Sequence, residues 1–189
     1  MILYNEKLRP ILDDLENPEI ELAGGSTVGM VLSTKNSLIG YICNLTIGKK
    51  KYEEVQDEVL RIKKEANELK EKSLKVIDED RVVLDKLLKA YKIRKEEPEK
   101  LEKASKESVL FCNEVMEDAI KTLELANRIE KVGNKMLESD FKICKKYAFS
   151  SIESSIVNID INLKYVKDEE FKNKIIENYT KKYNNAKKN

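Results

Sequence analysis

The sequence predicts an all-α protein: an up-and-down helical bundle with one very long helix over about residues 53–94. Two observations carry that prediction. Only 6 Gly and 3 Pro interrupt 189 residues, of which 38% are charged, and a breaker-poor chain of this kind belongs to the helical class. Residues 53–94 hold neither Gly nor Pro, and Val55, Val59, Ile62, Ala66, Leu69, Ser73, Ile77, Asp80, Leu84, Leu87 and Tyr91 recur there at spacings of four and three. That is the seam along which a long helix packs.

The other elements follow in order. Residues 2–15 carry Leu3, Leu8, Ile11, Leu12 and Leu15 on one side of a short helix. Residues 26–46 form a central helix inside Leu22–Gly48, a stretch whose one charge is Lys35. Gly24 and Gly25 open it as a turn, and Ser26 has the chemistry of an N-cap. Gly29, Ser33, Ser37, Gly40 and Asn44 give this helix a face of small residues, suited to close approach of another backbone. After the break at residues 95–98, a helix runs from Pro98 to about Lys131 and ends at Gly133 and Asn134. The next spans about residues 139–164, with Ser151, Ser155, Asn158 and Asn162 beside its apolar face. An amphipathic helix over residues 168–183 closes the chain, read as one domain over 1–189.

Composition narrows the function. Thirty-six basic and 35 acidic residues leave a net charge of +1, so no field for nucleic acid or membrane is expected. Leu22–Gly48 has the length of a membrane span, but Lys35 and Asn36 stand at its middle, and it reads as a buried helix. The start of the chain has no apolar leader. Cys43, Cys112 and Cys144 are too scattered for a CxxC pair and read as reduced thiols of a cytoplasmic protein. There is no histidine, so no His-ligated metal is expected, and acid–base work falls to other side chains.

Several residues offer a site. Asp78 and Asp80 point roughly 200° apart on a helix. Asp80 falls on the packing seam, where burial raises a carboxylate pKa unless it is paired. The start of the central helix, at Gly24, Gly25 and Ser26, presents amides and partial positive charge to an electron-rich group. Lys49, Lys50 and Lys51 form a cationic rim for an anionic tail. The small polar faces of helices 26–46 and 139–164 together line a polar cavity.

Four blocks appear in order: AGGSTVGMVLSTKNSLIGYICNLTIGKKKYEEV, VIDEDRVVLDKLLKAYKIRK, VGNKMLESDFKIC and NIDINLKYVKDEEFKNKI. Their order and spacing resemble the cyclodeaminase/cyclohydrolase family, over nearly the whole chain. The resemblance implies a dimeric helical bundle and a folate one-carbon reaction with no metal or redox cofactor. The tetrahydrofolate derivative is the substrate: either 5-formiminotetrahydrofolate loses ammonia to give the 5,10-methenyl ring, or water adds to that ring to give 10-formyltetrahydrofolate. The length of the chain, without a transferase portion, tilts toward the cyclohydrolase. The resemblance also implies an acid/base aspartate in IDED, hence Asp80 or Asp78, with the seam favouring Asp80. It places substrate binding at Gly24, Gly25 and Ser26, with Asn134, Asp140, Asn158 and Asn162 of the later blocks as further binding candidates; charge complementarity makes Lys49, Lys50 and Lys51 the candidate site for the glutamate tail. The chain departs from the family pattern before the serine, where Leu22 and Ala23 precede two glycines in place of a proline and three, and after IDED, where RVVL replaces small residues. Those departures define a second reading, a non-catalytic helical module that binds folate or a protein.

Overall fold

The computed structural model of the chain describes residues 8–20 and 22–188. Six α-helices follow one another: α1 (Arg9–Glu16), α2 (Gly24–Asn44), α3 (Gln56–Lys92), α4 (Pro98–Val132), α5 (Glu138–Leu163) and α6 (Glu169–Ala186), with 3-10 turns at Lys50–Val55 and Lys135–Leu137. The all-α expectation holds, and the very long helix is α3, with 37 residues. Its first turn is shifted, because Lys50–Val55 winds as a 3-10 helix. The predicted helix over residues 2–15 appears as α1, its residues 2–7 lying outside the described part of the chain. No residue of α1 is buried.

The four long helices form a square. Both α2 and α4 pack on α3 and on α5, and α6 lies against α5 and α4. Helix α2 runs antiparallel to α3, since Gly25 faces Asp80 while Gly29 faces Ser73 and Val76. The apolar core divides into two clusters. One, around Leu32, Val76, Met116, Ala119 and Ile152, surrounds the first half of α2. The other, around Ile39, Ile62, Ile129, Phe141 and Cys144, surrounds its second half. Burying each such Ile, Leu or Phe side chain contributes about 1.5–3 kcal/mol.

Lys35 and Asn36 lie at the level where the two clusters divide. Lys35 is 0% exposed, and among the described residues neither its Nζ nor the side-chain atoms of Asn36 find a hydrogen-bond partner. Burial pulls the Lys35 ammonium down to about 7, with the Cys144 thiol nearby opposing the shift slightly. The one charge of the central stretch is therefore a core residue, which places a desolvation cost inside the fold.

The small face of α2 serves only half of its length. A β-carbon on Gly29 would stand 2.9 Å from the carbonyl oxygen of Ser73, so α2 and α3 touch backbone to backbone there. Ser33 is buried, but Ser37 and Asn44 are exposed and Gly40 faces open space. Ser37 stands about 80° round the helix from Gly29 at roughly 100° per residue, which turns it away from α3. On α3 the buried positions toward the C-terminal end include Val76 and Ala90, one residue before the predicted Ile77 and Tyr91, while Asp80 stays buried.

Candidate functional site

Gly24 and Gly25 are the first two residues of α2 rather than a turn before it, and Ala23 occupies the N-cap position. Ser26 is thus not the N-cap. Its backbone N–H donates to Asp80 Oδ2 at 2.8 Å, and its Oγ lies 3.0 Å from the same oxygen. A carboxylate from α3 therefore takes a first-turn amide of α2 that would otherwise need a capping side chain. The Ser26 hydroxyl also lies 2.9 Å from the Ile77 carbonyl oxygen. One hydroxyl proton serves two acceptors, so Ser26 can donate to an ionised Asp80, or accept from a protonated one while donating to Ile77.

Asp80 is 9% exposed. Burial raises its pKa, and the two Ser26 hydrogen bonds pull the other way. Only Oδ2 takes those bonds; among the described residues Oδ1 takes none, and it points into the space that the missing side chain of Gly25 leaves, 1.9 Å from where a β-carbon would stand. A carboxyl with a raised pKa, one oxygen fixed and the other unengaged, is equipped to accept and return a proton. Cys112 lies close enough for the Asp80 charge to be felt, yet burial is the main reason its thiol is pushed up to about 12. It is not primed as a nucleophile. Asp78, the other carboxylate of IDED, is exposed.

The remaining residues fall into two groups at opposite ends of α2. Asn158 of α5 stands beside Gly24, its Oδ1 3.8 Å from a β-carbon built there. Asn162 is buried, its amide donating to the Asn158 carbonyl while its Oδ1 stays unpartnered. The expected polar cavity takes the form of an outward groove of about 430 Å³ between α2 and α5, lined in part by Gly24, Thr27, Val31, Ser150, Ser154 and Asn158. Inside the bundle the hydroxyls of Ser33, Ser151 and Ser155 bond to carbonyls of their own helices, which lets small polar residues pack in the interior.

At the far end, Lys49, Lys50 and Lys51 are exposed, and none of them forms an ion pair among the described residues. Gly48 turns the chain there with φ 75, a left-handed conformation that favours glycine. Asn134 holds the corner. Its backbone N–H donates to Thr46 Oγ1 at 3.0 Å, its side-chain amide reaches the Leu45 carbonyl at 3.3 Å, and its Oδ1 accepts from Met136 N. Tyr52, whose hydroxyl accepts from Lys135 N, completes the joint. The preceding Gly133 is extended, not left-handed; its small size matters because a β-carbon would lie 2.6 Å from the Ile129 carbonyl. Asp140 is half-buried in the first turn of α5. Within one chain this group does not meet Asp80. Sequence reasoning missed the role of Gly25 as the space for Asp80, and that of Asn134 as a structural joint.

Residues 7–181 match the sequence profile of formiminotransferase-cyclodeaminase. The chain belongs to that family. Among curated relatives of the cyclodeaminase family member, a methenyltetrahydrofolate cyclohydrolase of Methylorubrum extorquens is 27% identical over 177 residues, covering 88% of this chain and 84% of the relative. The crystal structure of a formiminotetrahydrofolate cyclodeaminase from Thermotoga maritima superimposes with a TM-score of 0.89 at 24% identity, covering 98% of this chain and 92% of that one. This second likeness establishes the family bundle. Among the described residues, no helix is long and apolar enough to cross a membrane.

Proposed function

We propose that this family member acts on the one-carbon unit of a tetrahydrofolate, hydrolysing the 5,10-methenyl form to 10-formyltetrahydrofolate, with Asp80 as general acid/base. The observation that carries the reading is the buried Asp80 carboxyl, pinned through Oδ2 by Ser26 and unengaged at Oδ1. Water attacks the electron-poor methenyl carbon and gives its proton to Asp80. The tetrahedral adduct then collapses: its hydroxyl proton passes to solvent as the C=O forms, the bond from N5 to that carbon breaks, N5 takes a proton from the acid, and the formyl group stays on N10. Gly24 and Asn158 line a groove at the same end of α2 as this acid, and Lys49, Lys50 and Lys51 supply cationic charge for the glutamate tail.

Loss of ammonia from 5-formiminotetrahydrofolate passes through the same kind of tetrahedral carbon, and the fold likeness to a cyclodeaminase favours keeping that reaction as the second reading. The test is turnover of both folates by the purified chain and by Asp80→Asn and Asp78→Asn. We expect Asp80→Asn to lower kcat by about 10²–10⁴-fold, the usual worth of a general acid/base, with Asp78→Asn near wild type. Absence of turnover on both substrates, or an unaffected Asp80→Asn, overturns the assignment.

A further inference from the structure

The interior of the bundle holds a second polar group of residues, one that the proposed reaction does not use. Leu32 belongs to one apolar cluster and Ile39 to the other, so Lys35 and Asn36 stand at the level between them. On α5 that boundary falls between Cys144 and Ala148, and on α3 between Ala66 and Val76. Ser73, also buried, lies within the α3 interval. Short side chains therefore flank this level on both helices.

Lys35 is 0% and Asn36 1% exposed. Among the described residues the Lys35 Nζ and the Asn36 Oδ1 and Nδ2 all lack a hydrogen-bond partner. Three such atoms on two adjacent residues stand out in an interior, where buried polar groups are as a rule paired. Their neighbours do not serve them. Ser73 and Thr122 give their hydroxyl protons to carbonyls of their own helices. Cys144 is the titratable group whose charge bears on Lys35. Burial pushes its thiol up to about 12, so it stays neutral and is no counterion.

The chemistry of the two side chains says what would complete them. The ammonium has three N–H donors and the amide two, against one carbonyl oxygen as acceptor. A water molecule brings two protons of its own and finds one side-chain acceptor on this pair. A small anion brings none; it accepts from both residues and balances an ammonium whose burial is otherwise uncompensated. Leu32, Ile39, Leu123 and Leu125, all buried, close the level on either side, and close packing there limits the guest to about the size of a monatomic ion.

We infer that Lys35 and Asn36 form an interior binding site for a small monovalent anion of the chloride class, held between the two halves of the core. The bound anion keeps Lys35 charged and ties folding to halide concentration, because it binds the folded chain and not the unfolded one. The site lies about 13 Å along α2 from Ser26, at 1.5 Å per residue, and does not rest on the folate reading.

Thermal unfolding of the wild type, Lys35→Met and Asn36→Leu at pH 7 tests this, with bromide replacing gluconate at constant ionic strength. The wild-type midpoint should rise by about 5 °C and then saturate. Lys35→Met should show no saturating rise, since general salt effects act on both proteins alike. Asn36→Leu should need about tenfold more bromide for half its rise, the worth of a hydrogen bond to a charged group. In bromide the wild-type gain in stability with pH should begin above pH 7, because the ion holds the ammonium. Crystals grown in bromide should show an anomalous peak within hydrogen-bonding distance of Lys35 Nζ and Asn36 Nδ2. A wild type that responds to bromide no more than Lys35→Met, or bromide peaks confined to the surface, overturns the site.

Discussion

Asp80 Oδ1 lies 1.9 Å from the point where a β-carbon on residue 25 would stand. Glycine at 25 is therefore the volume into which the acid fits. Gly25→Ala must push the carboxylate off its Ser26 contacts. A stability loss of about 1–3 kcal/mol, as for overpacking elsewhere, should accompany a fall in kcat comparable to that of Asp80→Asn. Gly24→Ala is the contrast, since its nearest neighbour is Asn158 Oδ1 at 3.8 Å; its unfolding midpoint in urea should stay near wild type.

Ser26→Ala separates the two influences on Asp80. Burial raises the carboxyl pKa and the Ser26 hydroxyl lowers it. Removing the hydroxyl leaves burial less opposed, so the pKa rises further. The acid limb of the pH–rate profile, where the ionised base is needed, should move to higher pH. A limb that moves down or stays in place contradicts the hydrogen-bond assignment.

Asp80 also ties acidity to folding, with an unusual sign. Its folded pKa lies above the unfolded value, so the folded state holds the proton more tightly. That contribution is fully present below the unfolded pKa and is lost as pH rises through the folded one. Asp80→Asn should therefore be more stable than wild type at neutral pH while losing activity, as measured by urea denaturation.

Lys35 acts on a different window. Its pKa falls from 10.5 in the unfolded chain to about 7 in the fold, so between those values the unfolded state binds more protons and stability rises with pH. The expected slope is about 1.4 kcal/mol per pH unit from about 7 upward, flattening below that. Lys35→Met fills similar space without the charge. It should remove the slope and stabilise the protein at pH 7 by on the order of 4 kcal/mol. Denaturation curves at pH 6, 7, 8 and 9 for both proteins decide it.

Asn134→Ala takes away the clasp on the Leu45 carbonyl and on Met136 N. About 1–3 kcal/mol of stability should be lost through the groups left unpaired. Because the clasp sets the path of the lysine corner, the KM for a folate with several glutamates should rise while kcat stays near wild type.

Much of the fold was legible from local rules. The absence of Gly and Pro over 53–94 exposed α3, and the four–three spacing placed Asp80 on its packing side. What failed needed knowledge of a partner element. Ser26 has the chemistry of a cap, but the carboxylate that takes its amide is 54 residues away. Lys35 counted in the sequence against a membrane span; in the fold it is enclosed between two apolar clusters. Ser37 and Gly40 share a sequence pattern with Gly29 and Ser33, yet Ser37 is exposed and nothing approaches Gly40. Gly25 and Gly24 are indistinguishable in the sequence, and only the approach of α3 shows which one must lack a side chain. The distance between the Asp80 and Lys49 groups likewise became visible only once α2 had a direction.

Gly25 and Gly29 sit one turn apart on α2 and meet α3 at Asp80 and at the Ser73 backbone. Sliding α2 along α3 by one turn would put Gly29 opposite the acid and set Ser33 against a carbonyl that accepts only a bare backbone. The two glycines work like the teeth of a key that turns at one depth. A bundle that has closed tightly has, by that fact, placed its acid, and a slipped one fails in packing and in chemistry together.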